Sequence, residues 1–294
     1  MSVCNLCPRR CGADRSSTRG VCRMGEKITL ARAALHGGEE PCLAPNGKSG
    51  AMFFSGCSLG CVFCQNAAIS SASPIGWEVE EDAFCEILLR LVDDGAENVD
   101  LVTASHFIPQ LERALKKVKG KLNVPVIFNC SGYETPEALR MLDGLVDVYL
   151  PDFKFADSAL ALRLCRAPDY PEVCAAALSE MYRQTGKCTF DESGKLLRGL
   201  LVRHLVLPNF TENSLRVLEC LNGLFSEKDA VRLSLMRQFT PMPGCNVQEL
   251  SRPLTGLEYD RVTRRAASLG FLGYTQQKSS VGRDAIPLFD GTGV

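Results

Sequence analysis

A chain of 294 residues, 46% apolar and 23% charged, is long enough to bury a large core and has the balance of an ordinary globular protein. Its 33 basic and 34 acidic residues leave a formal net charge of −1, which offers no basic field to hold nucleic acid and no acidic tail. No apolar run reaches the roughly 18 residues that a membrane helix needs, and the opening MSVCNLCPRRCG lacks the apolar stretch of a secretory leader, so the expected location is cytoplasmic, with no nucleic-acid or membrane partner.

Residues 1–50 read as an irregular module rich in Cys, Arg and Gly, and 51–294 as the core domain with a C-terminal extension. The chain has 15 cysteines, an odd number. Without a secretion signal, clustered thiols point to metal ligands rather than to disulfides. In the module, Cys4, Cys7, Cys11 and Cys22 are spaced C-x2-C-x3-C-x10-C. Four thiolates at those spacings can enclose zinc or an iron–sulfur cluster, and a metal would explain how a segment with almost no core stays folded. The nearby Arg9, Arg10, Arg15 and Arg19 either lower thiolate pKa values or are simply solvated. Cys42, Cys85, Cys130, Cys165, Cys174, Cys188, Cys220 and Cys245 read as small apolar packing residues.

From Ala51 onward, apolar runs alternate with helical periodicity. The predicted strands are Ala51–Ser55, Val99–Thr103, Val124–Asn129, Val146–Leu150, Leu201–Leu207 and Val231–Met236. A helix through Ala83–Val92 is stopped by Gly95, and Ile108, Leu111, Leu115 and Val118 share one face of the next. Pro136–Asp143 starts at Thr135, with proline at the first helical position. Val173–Tyr182 ends at Gly186, Leu215–Leu221 is short, and Leu257–Leu269 is the last. Repeated βα units mean parallel strands and right-handed crossovers. Six of them, in an α/β fold, suit either an open doubly wound sheet or an incomplete barrel.

After the first predicted strand comes a loop with Cys57, Cys61 and Cys64 in a C-x3-C-x2-C pattern. Three thiolates there can reach three irons of a cubane cluster. No fourth cysteine follows closely, which leaves the fourth iron for an exogenous ligand. Gly56 and Gly60 let the loop bend around a bulky core. Zinc would want a fourth ligand, and a chance cluster is the remaining reading. Parallel α/β folds place their sites at this end of the strands.

The C-x3-C-x2-C spacing, with Phe63 between the last two cysteines, resembles the radical SAM superfamily. The nearer resemblance is to pyruvate formate-lyase-activating-enzyme-like proteins. It also rests on Cys4–Cys11, Glu40-Pro41-Cys42, Asn129-Cys130-Ser131-Gly132-Tyr133, Leu150-Pro151-Asp152-Phe153-Lys154, Arg203–Pro208 and Ile286–Asp290. The resemblance implies a partial (β/α)6 barrel of the TIM type, a [4Fe–4S] cluster on Cys57, Cys61 and Cys64, and S-adenosylmethionine (SAM) on the open iron. It implies SAM contacts from Asn129, Ser131, Asp152, Lys154 and Arg203. Lys154 and Arg203 would meet the SAM carboxylate, which Arg suits through its two parallel donors. Many members carry Gly-Gly-Glu after the second strand. Here Val102-Thr103-Ala104-Ser105-His106 stands instead, so Thr103, Ser105 or backbone carbonyls would take the SAM amine, and His106 is either structural or an acid–base group.

The implied activity is cleavage of SAM to a 5′-deoxyadenosyl radical that abstracts hydrogen from a glycine of a partner enzyme, fed by a reductant such as flavodoxin or ferredoxin. Two other readings stay open: a radical SAM enzyme acting on a small molecule or peptide, and an iron–sulfur electron-transfer or sensing protein.

Overall fold

The computed structural model describes residues 3–71, 73–277 and 286–294. The strands are β1 (Ile28–His36), β2 (Ser49–Phe54), β3 (Trp77–Val79), β4 (Val99–Val102), β5 (Val126–Cys130), β6 (Val148–Pro151), β7 (Thr189–Phe190), β8 (Leu196–Leu205), β9 (Arg232–Met236) and β10 (Gly273–Thr275). The helices are α1 (Ala67–Ser70), α2 (Glu81–Asp93), α3 (Ile108–Val118), α4 (Pro136–Arg140), α5 (Ser158–Cys165), α6 (Tyr170–Thr185), α7 (Thr211–Leu224) and α8 (Gly256–Ser268).

Seven strands run parallel in the order β2-β4-β5-β6-β8-β9-β10. Each new strand adds on the same side of the last. A doubly wound sheet would reverse direction once, at its switch point, so the progression is that of a partial barrel. The parallel strands are short and buried on both faces, which is why they read as continuous apolar runs. Alternation splits β2 between two layers. Met52 and Phe54 pack among the helices with Phe84 and Phe107, while Ala51 and Phe53 face the other side with Val102.

The first 50 residues depart from the expectation of an irregular module. Ile28–His36 forms β1, which pairs antiparallel with β2 and with β3. Its residues are buried on both faces of the sheet in places, so it lacks the clean period-two alternation that marks a half-exposed strand. The final residues lie along the same strand. Gly291 N–H donates to the Ala31 carbonyl at 3.0 Å and Ala33 N–H to that of Thr292 at 2.9 Å. The Phe289 ring stacks edge-on against Phe53. The helix expected at Leu215–Leu221 extends over Thr211–Leu224, and α5, unmarked by periodicity, spans Ser158–Cys165 with Asp157 accepting from Leu160 N–H as its N-cap.

His204 on β8 is fully buried between the Phe153 carbonyl, 2.6 Å from Nδ1, and Ser214 Oγ, 2.8 Å from Nε2. Burial, opposed by the Phe153 carbonyl, lowers its pKa from the usual 6.5 to about 4. Above pH 6.5 the ring is neutral in both states, and its contribution to stability is complete. As pH falls from 6.5 towards 4, only the unfolded chain takes up the proton, and about 3 kcal/mol of that contribution is lost. The gap in urea midpoint between wild type and His204→Gln is therefore expected to be widest above pH 6.5 and to narrow by pH 4.5. A gap independent of pH would contradict this account.

Candidate functional site

The chain leaves β2 at Phe54 and turns sharply through Gly56 (φ 86°) and Gly60 (φ 115°). Backbone bonds fix the loop from three sides: Gly56 N–H to Ile69 O at 2.6 Å, Cys57 N–H to Cys22 O at 3.2 Å and Val62 N–H to Leu164 O at 3.0 Å. Phe63 anchors it below, buried against Phe155 and Phe239. Leu59 N–H points at Cys57 Sγ (3.4 Å), and Ser70 Oγ lies 3.3 Å from Cys64 Sγ. Burial, with the neighbouring Cys61 and Cys64 thiols adding to it, pushes the Cys57 thiol up to about 12. Three buried thiols that repel one another as anions are stable as thiolates only against bound cations, which is the donor chemistry of an iron–sulfur cluster. Among the described residues no three Cys, His, Asp or Glu side chains already converge as metal ligands, so binding draws the thiols together by rotation of their side chains.

The three cysteines open onto a cavity of about 560 Å³, within the range that holds one small ligand. Every strand-end residue singled out in the sequence, Asn129, Ser131, Asp152, Lys154 and Arg203, lines the same cavity. Arg203 donates from Nε to Asp152 Oδ1 at 2.9 Å and from Nη2 to Asn129 Oδ1 at 2.6 Å. Lys154 Nζ donates to the other oxygen of Asp152. Burial pushes the Asp152 carboxyl up, but Arg203 and then Lys154 outweigh it and hold the group below its ordinary value. Burial opposes the Lys154 charge, and Asp152 with Cys61 more than restores it. Two cations thus stand at the cavity wall beside the cysteines, oriented by one carboxylate.

Tyr170, on α6, fixes this wall. Its hydroxyl accepts from Lys154 N–H (2.9 Å) and lies 2.7 Å from the Ser131 and Asp152 carbonyls. The turn at Gly132 (φ 73°) makes that approach close: an added Cβ would lie 2.7 Å from Cys174 Sγ and closer still to the Asp152 carbonyl. Gly132→Ala is expected to destabilise the protein by more than about 1 kcal/mol, read as a lower urea midpoint at unchanged slope.

His106 is not in the cavity. It sits behind the loop, its Nε2 2.7 Å from the Ser55 carbonyl, and burial lowers its pKa to about 3, so it is a neutral support. Ser105 also turns away, donating to Glu134 at 2.6 Å. Thr103 does line the cavity, and at φ 63° it is a β-branched residue in the left-handed region, an outlier in need of a cause.

Some wall residues carried no readable signal. Glu39 and Glu40 face Arg203, and Ser234 Oγ lies 2.8 Å from both Glu40 oxygens. Glu40 was visible as part of Glu40-Pro41-Cys42 but had no role there. Gln276 Nε2 donates to Gln238 Oε1 at 3.0 Å on the far wall. Cys165, read as packing, donates its thiol to the Ala161 carbonyl at 3.1 Å, and its nearness, with burial, raises the Cys61 thiol.

A cysteine-bearing loop at the mouth of a partial parallel barrel, beside cations fit for a carboxylate, defines an iron–sulfur protein that also binds a small anionic group. Residues 52–190 match the model of the radical SAM superfamily. The match implies a [4Fe–4S] cluster and SAM, and the residues fit both. The chain is 33% identical over 215 residues to an uncharacterized protein of Methanocaldococcus jannaschii, an alignment that covers 70% of this chain and 57% of that one. The fold is similar to methylornithine synthase (TM-score 0.50, 15% identity, 74% of this chain and 60% of that). It is also similar to the FeFe-hydrogenase maturase HydG of Carboxydothermus hydrogenoformans (TM-score 0.50, 11% identity, 81% and 55%). The chain thus spans little more than half the length of these relatives. No helix among the described residues is long and apolar enough to cross a membrane.

Proposed function

We propose that this chain is an enzyme that cleaves SAM reductively and uses the resulting 5′-deoxyadenosyl radical to take a hydrogen atom from a glycine of a partner protein, as glycyl-radical activating enzymes do. The carrying observation is that Cys57, Cys61 and Cys64 share one cavity with Lys154 and Arg203. Cys57, Cys61 and Cys64 would hold the cluster, which when bound would supply the electron for reductive cleavage of SAM. The protein's own part is to bind and orient. Asp152 holds the Lys154 ammonium and the Arg203 guanidinium at the wall, where both can meet the SAM carboxylate. The Thr103 backbone, held at positive φ on the same wall, supports a carbonyl contact to the SAM amine in place of the missing carboxylate motif. The electron would come from a flavodoxin- or ferredoxin-class donor in a cytoplasmic setting.

A hydrogen donor that is a small molecule or peptide is the second reading, favoured by the polar side chains of Glu39, Gln238 and Gln276 on the cavity wall. A pure electron carrier or sensor would have no use for a cavity with two oriented cations. The test is anaerobic: load the protein with iron and sulfide, add dithionite and SAM, and measure 5′-deoxyadenosine. Well-loaded protein that makes none would overturn the proposal. Deuterium recovered in 5′-deoxyadenosine from labelled candidate partners separates a glycine donor from a small one.

A further inference from the structure

The first 27 residues contain no helix or strand among those described, yet they are folded tightly against the cluster loop. Cys4 N–H donates to Ala13 O (3.0 Å) and Gly12 N–H to Cys4 O (3.1 Å), which closes one turn around Cys7 and Cys11. A second turn carries Cys22, with Gly20 N–H donating to Met24 O at 3.2 Å and Arg23 at φ 71°. The two turns gather the four cysteines into one short segment. Among the described residues no three of the thiols yet converge as metal ligands, so here too an ion would draw them together by rotation of their side chains. The thiols of Cys22, Cys4 and Cys11 are the neighbours of Cys7. A Cβ on Gly20 would lie 3.3 Å from Cys11 Sγ and 3.5 Å from Cys22 Sγ, so glycine is what lets these two approach.

Four thiolates in one place complete a tetrahedral shell with no open position, the structural form of a zinc site. Two thiols that both crowd Gly20, as those of Cys11 and Cys22 do, can share one ion, whereas a cubane keeps each cysteine on its own iron. Arg9, Arg10, Arg15 and Arg19 balance the net negative charge of a zinc with four thiolates.

We propose that Cys4, Cys7, Cys11 and Cys22 hold one structural zinc ion, and that this zinc knot braces the loop of Cys57. The brace is direct. The Cys22 carbonyl accepts from Cys57 N–H, and Cys22 with Met24 packs so closely on Gly56 that a side chain there would overlap them. Arg9 donates to the carbonyls of Ser58 (2.8 Å) and Cys165 (3.0 Å), and Arg15 to that of His106 (2.5 Å). Residues beside the metal ligands thus hold the first turn of the cluster loop, at Gly56, Cys57 and Ser58.

The test counts metals and does not depend on SAM chemistry. The Cys57/Cys61/Cys64→Ala variant, purified without added iron, should carry about one zinc per chain, and X-ray absorption at the zinc edge should show sulfur ligands alone. Cys7→Ser should lose that zinc. Stripping zinc from the full chain with a chelator should speed hydrogen exchange of residues 56–60 about tenfold. The proposal is overturned by a triple variant without zinc, by iron and sulfide bound at the quartet instead, or by a zinc edge showing oxygen or nitrogen ligands. If Cys7→Ser fails to fold, the wild-type absorption spectrum and the zinc count of the triple variant still decide. Unchanged exchange at 56–60 after zinc removal would overturn the bracing role.

Discussion

Replacing Cys61 with alanine is expected to remove the cluster and, with it, all SAM cleavage. Cys61 is the middle thiol of the loop, with Lys154 and Cys165 as its neighbours. Two remaining thiolates cannot hold a cubane that leaves one iron open to SAM. Iron should fall from about four per chain to background, the brown absorption should vanish, and 5′-deoxyadenosine should drop to the level without enzyme. Overall stability should change little, because alanine keeps the Cβ and removes only a thiol that lines the cavity. Cys165 can complicate this result, since its thiol lies near enough to raise that of Cys61. The double variant Cys61→Ala/Cys165→Ala closes that route. If Cys61→Ala alone keeps a full cluster and full turnover, the assignment of the loop is wrong.

Arg203→Met should produce the second largest effect, in two readouts. Arg203 is the shared cation of Asp152, Glu39, Glu40 and Asp100. Removing it strands buried carboxylates, which costs about 3–5 kcal/mol when a buried partner is lost. A lower urea midpoint measures that part. SAM affinity, measured by equilibrium dialysis on cluster-loaded protein, should weaken by roughly 10- to 100-fold, the worth of a charged hydrogen bond. Lys154→Met separates the two. It leaves Asp152 paired with Arg203 at 2.9 Å, so stability should fall less while SAM binding falls as much. Arg203→Lys should not rescue, because one ammonium cannot donate both to Asp152 and, 2.6 Å away, to Asn129. Wild-type SAM affinity in both Met variants would remove these two residues from the site.

The cysteine loop and the strand-end residues were legible because each is local. C-x3-C-x2-C lies within eight residues, and Asn129, Ser131, Asp152, Lys154 and Arg203 follow or end strands that announce themselves by apolar runs. Strand β1 was not legible, since a strand buried on both faces without alternation looks like any small-residue stretch. Nor were Glu39 and Glu40 as wall residues, because nothing near them in sequence marks a strand end; the barrel carries β8 and β9 to them from some 160 to 200 residues away. His106 drew attention as a lone histidine beside a strand, and only its burial behind Ser55 shows that it supports the loop rather than meeting a ligand.

The sequence by itself determined the alternation of strands and helices, the three cluster cysteines, the four N-terminal cysteines and the superfamily they point to, because spacing along the chain constrains what nearby side chains can reach together. Only the tertiary structure decided between an open doubly wound sheet and a partial barrel, since the order in which strands pair is a long-range choice that periodicity does not carry. It likewise decided that Arg203 and Lys154 share Asp152, that Cys165 meets Cys61, and that the carbonyl of Cys22 holds the amide of Cys57. Those contacts join residues from 2 to 104 apart in the chain, and the distant ones exist only once the chain has closed around the cavity.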